Sequence, residues 1–359
     1  MKLCKITFLL ILIPSIIFAH NKIEKKKHEK TKSISKTFDV NKDARLEVYN
    51  KFGDINITTW DKDRIEIDVT ITVKGNDLDD VEGSLEKISV DFEASSSLVT
   101  ARTRIGSKNS WSIWKKRRNK SYKINYTIKM PISNDLNLNN DYGRISLDEL
   151  KGKAEISCDY GEIEIGDLKG DNSEISLDYC KASSIESMKD GQIRVDYSNI
   201  TIDEATDINL NTDYSTVTFG EVKILDFSAD YGSIRVDNGV SISGSGDYSG
   251  LKFGNITKKL NVSADYGSIR IKNLVSGFEL VDINSEFASI KIGIESGISF
   301  DFIVDLQYAG FKRDNSKIDM RKSIVKNSKK YYEGTFGKSG SSSNIKIKSE
   351  YGSVTFDEN

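Results

Sequence analysis

The chain has 359 residues, and its 52 Lys and Arg nearly balance 54 Asp and Glu for a net charge of −2. That balance gives no reason to expect nucleic acid as a partner. The only histidines are His20 and His28, both ahead of the body of the chain, so His-based triads, Cys-His dyads and most zinc sites are excluded.

Lys2 and Lys5 precede an apolar run from Ile6 to Ile17, and Ile17-Phe18-Ala19 ends in a small residue. The run is short for a bilayer span and reads as a signal peptide over residues 1–19. Export to the periplasm or outer cell surface is therefore expected. Cys4 lies ahead of the run, the wrong place for a lipid anchor. Residues 20–36 are rich in lysine and read as a basic flexible tail, suited to peripheral contact with an anionic membrane or envelope surface.

Strand-like alternation begins at Thr37, and residues 37–130 read as a β-rich cap with the first coils. Leu78, Val81, Leu85 and Ile88 recur at helical spacing, which predicts one helix from Asp77 to Ser89 capped by Asp77 or Asn76. Trp111, Trp114, Lys115, Lys116, Arg117 and Arg118 join aromatic rings to positive charge, a candidate site for glycan or an anionic surface. The plainer alternative is a hairpin tip with packed tryptophans and solvated charges.

Residues 131–359 are dominated by the unit Asp-Tyr-Gly-x-Ile-x-Ile. It starts at Asp141, Asp159, Asp178, Asp196, Asp213, Asp230, Asp247 and Asp265. Variants follow at Glu286, Gln307 and Glu350, and an early copy begins at Lys51. The spacing of 17 to 21 residues from Asp141 to Gln307 is too short for a propeller blade and fits one solenoid coil. The predicted fold is all-β, a single-stranded, parallel β-helix-like solenoid.

Apolar residues stand three and one positions before each Asp, and four and six after it. This pattern predicts an outward Asp column, an inward or corner stack of Tyr rings, and a chain corner at the Gly. Asp159, Asp178, Asp196, Asp213, Asp230, Asp247 and Asp265 are the candidate ligand or cation sites. They either cap turns, gather Ca²⁺, or present a polar face to glycan. No cofactor is required, and Ca²⁺ is the one metal considered. Five positions after the Asp, the later coils turn basic at Arg235, Lys252, Arg270 and Lys291. Parity places Cys158 and Cys180 on opposite faces, about 10 Å apart along the strand, so no disulfide is expected.

These repeats resemble the bacterial putative-adhesin β-strand-repeat family, related to auto-transporter adhesin heads. Tyr126-Thr-Ile-Lys-Met-Pro131 before the first full coil and Asp148-Glu-Leu-Lys-Gly152 after it carry the likeness. The resemblance covers residues 37–359 and implies a solenoid with no catalytic residues to carry over. The leading expectation is a non-catalytic exported envelope protein that meets glycan or an envelope protein through a repetitive polar face. One alternative is a carbohydrate-active β-helix enzyme, with Arg194 between Asp178 and Asp213 as its centre. Another is a periplasmic structural scaffold.

Overall fold

The computed structural model describes residues 26–106, 120–313 and 315–358. The signal segment and the Trp111, Trp114, Lys115, Lys116, Arg117 and Arg118 cluster lie outside them. The described chain forms 26 strands and one α-helix. From Asp135 to Ile294 successive coils stack in parallel and in register, so that Asp141, Asp159, Asp178, Asp196, Asp213, Asp230, Asp247, Asp265 and Glu286 align.

The core follows from the apolar pattern. Leu138, Ile156, Ile175, Ile193, Leu210 and Phe227 form one buried column, and Leu147, Ile165, Ile185, Ile202, Phe219 and Val236 another. A coil on its own cannot cover these faces. Each neighbour covers the next, at about 25 cal/mol for each Å² of apolar surface withdrawn from water. Volume is traded between layers: the Phe227 ring stands over Gly244, where an added Cβ would meet it at 2.6 Å.

The two ends are interleaved rather than sequential. The early coil, strands Arg45–Lys51 and Ile55–Trp60, lies between Leu98–Ile105 with Ser121–Pro131 on one side and Asp135–Leu150 on the other. At the far end, Asn344–Glu350 pairs in parallel with both Leu280–Glu286 and Phe300–Gln307. The last repeat thus fills a layer that the chain first skips. The intervening excursion is an antiparallel hairpin, Ile318–Lys326 and Lys329–Phe336, which covers Phe300–Gln307 from outside.

Two local expectations change. Strand structure starts before Thr37: His28–Asp39 pairs antiparallel with Arg64–Gly75 along its whole length, so residues 28–36 are not a tail. Its alternation was obscured because a largely exposed edge strand carries Lys and Ser where a central strand carries Val and Ile. The helix spans Leu78–Glu86, with Asp77 as N-cap accepting the Asp80 amide at 2.9 Å, and it ends earlier than expected. Ile88 instead opens the buried start of strand Ile88–Ala94. Among the described residues, no helix is long and apolar enough to cross a membrane.

Candidate functional site: an aromatic ridge between charged columns

The corner of every coil has one construction. The residue after the Asp takes a left-handed backbone, with φ between 48° and 61° at the tyrosines from Tyr142 to Tyr351 and 65° at Phe52. Its amide donates to the Asp carbonyl of the next layer, as Tyr197 does to Asp213 at 3.0 Å and Tyr248 to Asp265 at 2.8 Å. The positive φ therefore sits on Tyr, not on the Gly that follows. The Gly is needed for close approach: a Cβ at Gly232 would lie 2.2 Å from the Ser215 carbonyl oxygen. Where Ser replaces Gly, its hydroxyl completes the corner. Ser198 Oγ donates to the Asp196 carbonyl at 2.7 Å and accepts the Cys180 amide at 2.7 Å.

This left-handed step turns the Tyr side chain outward, so of the two expected placements, inward or corner, the rings take the corner. The tyrosine rings are 45–58% exposed, Phe287 is 41% exposed and Phe52 is half-buried, and together they form a ladder. Phe52, Tyr142, Tyr160, Tyr179, Tyr197, Tyr214, Tyr231, Tyr248, Tyr266, Phe287, Tyr351 and Tyr308 stack in that spatial order. Centroids are 4.7 to 5.2 Å apart, and planes are within 5° of parallel from Tyr160 to Tyr266. A left-handed non-glycine residue costs about 1–2 kcal/mol. A stacked aromatic pair returns about 0.5–1.5 kcal/mol. The ladder is therefore close to self-supporting at the corner, while its ring edges and hydroxyls stay in solvent. Ring faces are closed by their neighbours, so face-on stacking of a sugar is blocked along the middle of the ladder.

The seven Asp candidates form one column beside this ridge. Asp159, Asp178, Asp196 and Asp213 are half-buried, and Asp230, Asp247 and Asp265 are exposed. Among the described residues their side chains accept no backbone hydrogen bond at the corner, so there they do not cap it; the Tyr amide and the Ser hydroxyls do that work. Asp196 takes Arg194 Nε at 3.0 Å, and Asp141, one layer before Asp159, takes Lys51 Nζ at 2.8 Å. Burial first, then the Asp141 and Asp178 carboxylates, hold the Asp159 carboxyl above its ordinary range. Among the described residues no three acidic, thiol or imidazole side chains converge as a metal site.

Arg194 is exposed and, among the described residues, pairs with Asp196 alone; it aligns with Ser176 and Asn211 rather than bridging Asp178 and Asp213. Nearby, Glu155 is held below the usual carboxylate range by Arg45 at 2.6 Å and then by Lys153 at 3.0 Å. A carboxylate so stabilised is a poor proton donor.

Cys158 and Cys180 are both buried and free. They do not face opposite ways: Cys180 Sγ donates to the Cys158 carbonyl at 3.0 Å. The left-handed Tyr between them resets the alternation on which the parity argument rested. A hydrogen bond with the Cys180 thiol, and then burial, push the Cys158 thiol up.

On the far flank of the ridge lies the column five residues after the Asp, or six in the coil of Asp178. It reads Ser146, Glu164, Ser184, Thr201, Thr218, then Arg235, Lys252, Arg270 and Lys291. The four cations are exposed. The ridge thus separates an acidic column from a basic stripe.

No family model and no curated protein matches the chain. Solved structures do. A "putative cell adhesion protein" from Clostridium sporogenes is 10% identical, with 92% of this chain and 100% of that one covered and a TM-score of 0.22. A "putative adhesin" from Bacteroides fragilis is 12% identical over 91% and 97%, at 0.20. One from Parabacteroides merdae is 10% identical over 90% and 96%, at 0.29. Their names agree with the family that the repeats resemble; at these TM-scores they carry no argument about the site.

Proposed function

We propose that the chain is a non-catalytic, adhesin-like interaction solenoid of the cell envelope, which binds an extended partner along the aromatic ridge and its charged flanks. The observation that carries this reading is the unbroken ladder of exposed rings. Each coil offers the same small set of groups: a phenol edge, a carboxylate on one side and a short polar or cationic side chain on the other. Contacts too weak alone add up when one ligand spans many layers. On the first-strand face Asp141, Glu155, Glu174 and Asp196 are held in ion pairs with Lys51, Arg45, Lys153 and Arg194, and the other corner carboxylates stand in a single column rather than around a reacting atom, which favours binding over catalysis.

The test keeps the corner and removes the rings. Asn tolerates the left-handed backbone, so Tyr197, Tyr214 and Tyr231 changed together to Asn should fold. Beads coated with the purified protein are washed over immobilised dextran, polygalacturonate, dextran sulfate, chitosan and fibronectin. Wild type is expected to be retained on at least one surface, and the triple variant at least tenfold less. Equal retention of the two proteins, or no retention on any surface, contradicts the reading.

A further inference from the structure

We infer that Arg235, Lys252, Arg270 and Lys291 form a binding stripe for a linear anionic polysaccharide, carboxylated or sulfated, lying along the solenoid axis beside the tyrosine ridge. The inference rests on the interaction reading above and names the ligand class.

The four side chains are direct register partners in consecutive layers: Arg235 opposite Lys252, Lys252 opposite Arg270, Arg270 opposite Lys291. Like charges directly opposite on neighbouring strands are destabilising. The fold does not require them, because Thr201 and Thr218 occupy the same column in earlier coils. Arg235 is offset by Asp237 at 2.8 Å and Lys291 by Asp357 at 2.5 Å. Lys252 and Arg270, in the middle, are in no ion pair among the described residues. The stripe's field reaches its neighbours: Lys291 first, then Lys312 and Arg270, hold the Asp357 carboxyl below its ordinary range.

Between the stripe and the ridge runs a column of short residues, Ser233, Gly250, Ser268 and Ser289. Among the described residues the Ser268 and Ser289 hydroxyls make no hydrogen bond, whereas Ser233 in the same column donates to Thr216 at 3.4 Å. A chain laid here meets phenol edges, free hydroxyls and cations across its width, and one cation per layer along its length. Strands in a sheet recur at about 4.8 Å, a step comparable to one sugar ring. Nucleic acid fits less well, because base recognition on such grooves uses open aromatic faces and here the ring faces are closed.

The test uses the intact protein on sensors carrying dextran sulfate, polygalacturonate or uncharged dextran, with a series of salt concentrations. Wild type is expected to bind both polyanions in preference to dextran. Lys252→Thr with Arg270→Thr, residues that the same column already carries, should weaken binding at least tenfold. The same pair should flatten the dependence of log affinity on log salt by about two contacts. A control pair on the outer hairpin, Lys322→Thr with Lys326→Thr, should leave binding unchanged. Wild-type affinity in the stripe variant, equal binding to dextran, or no polyanion binding overturns the inference. The ridge reading then stands or falls separately, on whether the Tyr-to-Asn variant loses retention on the remaining surfaces.

Discussion

Coils from Asp135 to Leu168 and coils from Ser233 to Ile294 share a core and a ridge but not a surface. In the earlier coils charge is paired across layers. Arg144 reaches Glu162 at 2.5 Å and Glu164 at 3.2 Å, Lys169 reaches Glu149 at 2.5 Å, and Lys153 reaches both Glu155 and Glu174. In the later coils the column that holds Glu164 in the earlier ones stacks cation upon cation. The difference shows that the repeat specifies the inside of each layer and leaves the outward positions free. Where those positions satisfy one another, they support the fold. Where they repeat one sign, they are available to something else.

The shared core gives the largest expected effect. Ile163→Ala in an early coil and Ile234→Ala in a late one each remove a fully buried side chain and should cost about 2–5 kcal/mol. Similar losses in urea melts support a common core; a late-coil loss below half the early one breaks that equivalence. Next is the paired surface. Arg45→Ala should lower stability by about 1 kcal/mol. Because Arg45 holds the Glu155 carboxyl low, that contribution is present above the unfolded pKa of Glu and is lost as pH falls through the folded one. Melts of wild type and variant should therefore converge in acid.

Asp159 behaves in the opposite sense. Its carboxyl is held high, so its site favours the fold fully below the unfolded pKa of Asp and loses that advantage as pH rises through the folded one. Asp159→Asn should raise stability by up to about 0.8 kcal/mol at neutral pH, with the gain absent in acid; a loss at neutral pH shows that the column makes a needed bond. The smallest effect belongs to the stripe. Lys252→Thr should stabilise by a few tenths of a kcal/mol at low salt, and screening should erase the gain at 1 M salt. Destabilisation at low salt contradicts unrelieved repulsion there.

Much of this was legible in the sequence. The all-β solenoid, the coil period, the inward apolar columns and the outward Asp column follow from spacing alone, because a stacked layer needs the same residue type at the same place. The corner was not. Alternation puts Tyr on the same face as its apolar neighbours, and only backbone conformation shows that a left-handed Tyr breaks the alternation one residue before the Gly. That one step put the rings at the surface, freed the Asp side chains from capping and brought Cys158 and Cys180 together. A clue was present: a polar-tipped ring repeated beside a conformationally permissive Gly marks an unusual backbone as readily as a core position. The interleaved ends were hidden for a different reason. The last repeat carries the same motif wherever it is inserted, so its sequence is silent on which layers it joins. The basic column was visible by register, yet its contrast with the paired coils depends on which side chains actually meet.

The central claim is that binding is summed coil by coil along the ridge. Deleting Asp213–Ala229 removes one 17-residue layer and joins Thr212 to Asp230, the register equivalent of Asp213 at the next corner. Affinity for the best-retaining surface, compared with wild type and with a chain lacking two such coils, tests the claim most directly. The account predicts folded proteins whose affinity drops by a similar factor with each coil removed. Folded deletions with unchanged affinity would contradict it, since binding would then reside at one local site rather than along the ladder.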